Sequence, residues 1–144
     1  MTGIDFHFNM PDKLPYALRL LRKAVSAGAW VTVTGEPELL KQVDAALWTL
    51  AAHEFVPHCR AGAEPHLLAH TPLLLTTDPA RQSRAEVLVN LGPGVPAGFE
   101  RFARVIEMVS QDPEDRQAGR SRWKHYADRG YAIVRHDIAV KESP

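Results

Sequence analysis

The chain has 144 residues, 45% apolar and 24% charged, the balance of one globular domain with enough aliphatic content for a core. That composition excludes bulk disorder, and the absence of any run of about 18 apolar residues excludes a membrane-spanning helix. Lys+Arg and Asp+Glu are both 17, so net charge is zero and any site for nucleic acid or an acidic partner has to be local. Met1–Asp5 has neither the basic nor the apolar region of a signal peptide, and the single Cys59 can form no internal disulfide. A reducing, cytoplasmic setting is expected.

Gly3 to Phe8 alternates in polarity and puts Ile4, Phe6 and Phe8 on one face of a strand. Asn9 to Asp12 reads as a turn. Leu14, Ala17, Leu18, Leu21 and Val25 recur at helical spacing, with Pro15 tolerated in the first turn and Gly28 as the stop. Trp30 to Thr34 is a β-branched strand closed by Gly35. Pro37 opens a second helix with Leu40, Val43, Leu47 and Leu50 as its core stripe. Cys59 to Pro72, broken by Gly62 and Pro65, reads as irregular.

Leu73 to Thr77 and Glu86 to Leu91 are apolar runs suited to buried strands, the second followed by a loop from Gly92 to Pro96. Phe99, Phe102, Ile106 and Val109 predict a helical stripe, ended by Gln111-Asp112-Pro113. Glu114 to Arg129 is a polar helix and Tyr131 to Asp137 a final strand. Strands alternating with helices predict a single-domain, three-layer α/β/α sandwich around a mostly parallel sheet of about five strands. One domain over residues 1–140 is expected, with a frayed tail at 141–144.

The glycines do not build a phosphate cradle. Gly92-Pro93-Gly94 lacks the third glycine of a dinucleotide fingerprint, its proline removes an N–H, and no Walker A lysine motif exists. His53, His58, Cys59, His66 and His70 are metal-ligating types, but their spacings match no closed zinc pattern. His58 beside Cys59 does not make a dyad, because neighbours on an extended segment point to opposite faces. No catalytic residue, cofactor or metal is expected.

Two constellations stand out. Arg116, Arg120 and Lys124 sit at i, i+4 and i+8, one ridge of a helix, with Trp123 beside it. Such a ridge suits an acidic peptide, a carboxylate or a phosphate backbone, or else is a solvated face with Trp123 packed inward. The acids Asp112, Glu114, Asp115 and Asp128 weigh against general nucleic-acid binding and leave room for one local pocket. Trp48 lies about 100° around its helix from the core residue Leu47. A large aromatic there is either the core's edge or an interface anchor.

The segment Val43-Asp44-Ala45-Ala46-Leu47-Trp48 followed by Phe55-Val56-Pro57-His58 closely resembles the chi subunit of bacterial DNA polymerase III, which shows an acid before Leu-Trp and then Phe-x-Pro-His. Arg120-Ser121-Arg122-Trp123-Lys124-His125-Tyr126 resembles the family's basic-aromatic helix, where tyrosine usually stands in place of Trp123 and lysine in place of Arg116. Phe6-His7-Phe8 is similar to its opening strand, and element order agrees over almost the whole chain, with Ala61 to Gly94 the least diagnostic stretch.

The resemblance implies a non-catalytic replisome adaptor with the α/β fold. It would form a heterodimer with the psi subunit and through it meet the clamp loader. It would also bind the acidic, phenylalanine-terminated tail of single-stranded-DNA-binding protein, meeting DNA indirectly and no membrane. Trp48, Phe55, Val56, Pro57 and His58 match the segment that meets psi. Val109, Arg116, Arg120, Trp123 and Lys124 match the tail site. The alternative is a direct single-stranded nucleic-acid binder using the same basic-aromatic helix.

Overall fold

Strand β1 (Gly3–Met10) starts the sheet and runs past Phe8, because Asn9 takes a left-handed conformation (φ 75°) that bulges the strand without ending it. The computed structural model describes residues 1–49 and 55–141; Leu50, His53 and the tail at 142–144 lie outside them. Asp12 caps helix α1 (Lys13–Ser26) by accepting from the Leu14 N–H, and Gly28 (φ 91°) follows its end. Strand β2 (Val31–Thr34) leads to helix α2 (Pro37–Trp48), which has proline in its first turn.

The stretch expected to be irregular instead contains strand β3 (His58–Arg60) and helix α3 (Pro65–His70). Three residues are too few to show a period. Glu64 caps the short helix by accepting from Leu67 N at 2.8 Å. Strands β4 (Leu73–Leu75) and β5 (Val87–Asn90) follow as buried runs.

The second correction concerns the helical stripe expected from Phe99 to Val109. Phe99–Arg101 is one 3-10 turn, and Arg104–Ser110 is strand β6. Every residue of β6 after Arg104 is buried, so its apolar spacing carries no information about period, and the β-branched Val105, Ile106 and Val109 favour a strand. Helix α4 (Pro113–Asp128), strand β7 (Ile133–Asp137) and a short helix α5 (Ile138–Lys141) complete the described chain.

Among the described residues the sheet has seven strands in the order β3-β4-β2-β5-β6-β1-β7, all parallel. The count exceeds the expected five by β3 and β6, the two that the sequence pattern concealed. Alternation along each strand divides the core in two. Val31, Val33, Val89, Ile106 and Met108 face Ala17 and Leu21 of α1 and Leu40, Val43 and Leu47 of α2. Ile4, Phe6, Leu88, Val105 and Val109 face Tyr126 of α4 and the 3-10 residue Phe99. The result is the three-layer sandwich, with α1 and α2 on one side of the sheet and α4 on the other. Among the described residues no helix is long and apolar enough to cross a membrane.

Candidate functional site

Helix α4 is fixed at its N-terminal end and through its middle. Asp112 caps it by accepting from Asp115 N, and Pro113 opens its first turn. Asp115 accepts from Ser110 N at 2.7 Å and pairs with Lys13 of α1 at 2.8 Å, 102 residues away in sequence. Burial acts to raise the Asp115 carboxyl, but Lys13 and Ser110 outweigh it and hold the group below the usual aspartate range. Its charge is thus offset by Lys13.

The middle of α4 is tied down by a buried polar network. Arg122, 1% exposed, donates from Nε to Glu107 of β6 at 2.7 Å and to the carbonyls of Pro93 and Met108. The Tyr126 hydroxyl donates to Glu107 at 2.6 Å, and Asn90 donates to Glu107 and to the Gly94 carbonyl. Burial pushes the Glu107 carboxyl up against the opposing pull of Arg122; burial and the Glu107 charge push the Tyr126 hydroxyl up strongly. The loop Gly92-Pro93-Gly94, which lacks a phosphate-binding pattern, here gives two of its carbonyls to this network.

With Arg122 turned inward, its neighbours at i−2 and i−6, Arg120 and Arg116, face a cavity of about 490 Å³ between α4 and the sheet. The floor is apolar: Phe6 and Phe8 of β1, Val109 of β6 and Trp123 of α4. Phe6 and Trp123 meet with ring centroids 5.1 Å apart. Gly119 keeps the floor open at this point, since a Cβ there would come within 2.7 Å and 2.9 Å of the Val109 methyls. The cavity lies at the carboxyl ends of β1 and β6, where open α/β sheets place their ligand crevices, and Asn9 and Ser110 are at its rim.

Four of the five residues expected for the tail site, Val109, Arg116, Arg120 and Trp123, line this cavity together. Lys124 stands outside the lining, exposed and paired with Asp128 at 3.1 Å. Arg135 of β7 is a lining residue that sequence reasoning missed; its guanidinium lies 5.4 Å from the centroid of Phe8 and 5.9 Å from that of Trp123. Its signal was only the alternation of the last strand, which cannot say what stands opposite. Three guanidinium groups around an apolar floor suit a ligand with a hydrophobic end and negative charge.

The second constellation lies on the other layer, at the end of α2. Trp48 is 64% exposed and Phe55 38% exposed, with ring centroids 5.2 Å apart. Pro57 is exposed beside them, whereas Val56 is 2% exposed and belongs to the core under α1 and α2. His58 is buried beneath the two rings, 5.1 Å from Trp48 and 5.6 Å from Phe55. Its Nδ1 donates to the Val56 carbonyl at 2.7 Å, and its Nε2 lies 3.0 Å from Asp44 Oδ1. So Trp48, Phe55 and Pro57 form the surface, and Val56 and His58 support it from below. A groove of about 640 Å³ continues from Phe55, Val56 and Pro57 to Arg19, Arg22 and Lys23 of α1. Those basic residues were also missed, although their i, i+3, i+4 spacing marks one polar face of the helix.

Among the described residues His58, Cys59, His66 and His70 do not converge; His53 lies outside them. His66 and His70 stack on α3 at 4.4 Å, while His58 is engaged as above. Burial pushes the Cys59 thiol up, against a smaller opposing effect of Arg84, so the thiolate a nucleophile needs is disfavoured.

Comparisons with known proteins identify the family. The family model described as DNA polymerase III chi subunit, HolC, matches residues 1–134. The DNA polymerase III subunit chi of Pseudomonas aeruginosa is 29% identical over 143 residues, covering 96% of this chain and 98% of the relative. That of Escherichia coli is 30% identical over 93 residues, covering 64% of this chain and 62% of the relative. The chain belongs to the chi-subunit family of DNA polymerase III, an accessory component of the replisome's polymerase complex.

Proposed function

We propose that this chain is a non-catalytic adaptor that holds the psi subunit at the Trp48 surface and the acidic tail of single-stranded-DNA-binding protein in the α4 cavity. Through psi it would join the clamp loader, and through the tail it would link the polymerase to coated lagging-strand DNA. The observation that carries the tail reading is the cavity, with an apolar floor of Phe6, Phe8, Val109 and Trp123 and a rim of Arg116, Arg120 and Arg135. A terminal phenyl ring fits the floor, and its carboxylate fits the bidentate fork of Arg120. Acidic residues of the tail are drawn by the remaining guanidinium groups, an attraction that weakens with salt.

The psi reading is supported by the exposure of Trp48 and Phe55, since paired aromatics with 64% and 38% exposure fit an interface anchor better than a core edge. Direct binding of single-stranded nucleic acid is the weaker reading, because the chain has no net charge and its exposed Lys124 is already paired with Asp128.

The test is a calorimetric titration with the tail peptide, with and without its final phenylalanine. Binding that vanishes on deletion of that residue and falls with Trp123→Ala supports the reading. Equal binding of both peptides, or of an oligonucleotide in their place, overturns it.

A further inference from the structure

We infer that Asp5, His7 and His136 form a binding site for one divalent transition-metal ion, with zinc the best match to the ligand types. Asp5 and His7 are two apart on β1 and so share a face, the face opposite to Phe6 and the α4 cavity. The parallel register sets His136 of β7 directly beside His7. Their rings stack with centroids 4.4 Å apart, and His136 Nε2 is 3.9 Å from Asp5 Oδ2. One ligand atom from each of the three residues lies within 4.8 Å of the others. A tetrahedral ion with ligands at about 2.0–2.2 Å needs them roughly 3.3 Å apart, so small side-chain rotations complete the set.

The surroundings are those of a ligand set held in place. His7 Nδ1 is 2.5 Å from the Tyr16 hydroxyl of α1, which orients the ring as an outer partner orients a metal-bound imidazole. Arg104 donates from Nε, at 2.7 Å, and from Nη2 to Asp5 Oδ2, which fixes the orientation of the carboxylate. Asp5 and His7 are 8% and 9% exposed, whereas the His136 side chain is 22% exposed and gives an ion its way in. Two imidazoles and one carboxylate select zinc, cobalt or nickel over magnesium and calcium, which prefer oxygen alone. A fourth position stays available to water or to a group from outside the chain. An ion held here ties the edge strand β7 to β1.

The stacked pair His66 and His70 is the competitor for any metal the chain takes up, so it serves as the control. The full chain, stripped with chelator, is titrated with zinc by calorimetry and with cobalt by visible absorption. Expected is one ion per chain, retained in the His66→Ala/His70→Ala double variant, weakened at least about tenfold in Tyr16→Phe and lost in His136→Gln. Unfolding curves of the metal-free variants check that each is folded, and the ion raises the wild-type midpoint but not that of His136→Gln. No uptake by the wild-type chain overturns the assignment, as does uptake that survives His136→Gln and disappears with His66 and His70.

Discussion

The α4 cavity and the Trp48 surface are built on opposite layers of the sheet and by opposite means. The cavity draws on four elements, β1, β6, α4 and β7, and its wall helix is locked from below by Arg122 and Glu107. The Trp48 surface draws on the last residue of α2 and on Phe55 and Pro57, and its rings lie against the buried imidazole of His58. A concave site with fixed walls accepts the end of a flexible chain, because the receiving side has little left to order. The exposed rings of the Trp48 surface stand beside an open groove, so a partner there must bring a shaped surface of its own. One scaffold thus presents a socket and an aromatic surface that do not share a helix, which is what independent binding of two partners requires.

The sharpest way to break this contrast is Glu107→Gln. It leaves the Arg122 guanidinium buried without its counter-charge, and the expected loss is about 3–5 kcal/mol of folding stability in urea unfolding. Tail-peptide affinity should fall with it, measured where the variant is still folded. Next come the reciprocal substitutions. Trp123→Ala should cost about 2 kcal/mol or more of tail binding and leave psi binding unchanged; Trp48→Ala should do the reverse. Because Trp48 is 64% exposed, its loss should change stability by no more than about 0.5 kcal/mol. Equal damage to both partners by either variant, with the fold intact, would end the two-site model.

Gly119→Ala sharpens the comparison on the socket side alone. Its methyl would press on the stiff β-branched Val109, so about 1–3 kcal/mol of stability and a measurable part of tail affinity should go, with psi binding untouched. The smallest effect is one of pH. Burial would raise the Asp115 carboxyl, but Lys13 and Ser110 lower it overall. A depressed carboxyl adds stability that is present above the ordinary aspartate range and lost as pH falls through the lowered value. Wild type should therefore exceed Asp115→Asn in unfolding free energy at neutral pH, and the gap should close in acid.

Much of the socket was legible because α4 carries its information locally. The spacing of Arg116, Arg120 and Trp123 is fixed by helical geometry whatever the rest of the chain does. The same geometry put Trp48 at the margin of its core stripe without deciding between core edge and surface; the structure leaves the ring 64% exposed. What escaped reading depends on strands meeting across the sheet. Val109 was read as part of a helix and reached the cavity from a strand, since a strand covered on both faces has no polar beat. Arg135 enters the socket only because β7 pairs with β1 across more than a hundred residues of sequence. Val56 and His58 carry the right letters for a binding motif, yet burial makes them its foundation. Burial of a residue between two helices and a sheet edge is a property of three elements together.

The Arg122–Glu107 pair also has a consequence for time. Pinning through the middle opposes rolling of the helix, so on the proposed reading a tail would dock into a finished shape. Encounter rates should then be set by the guanidinium rim and respond to ionic strength, while changes in the floor at Phe6, Val109 or Trp123 should alter chiefly how long the complex lasts. An adaptor of this build would catch by charge and hold by shape.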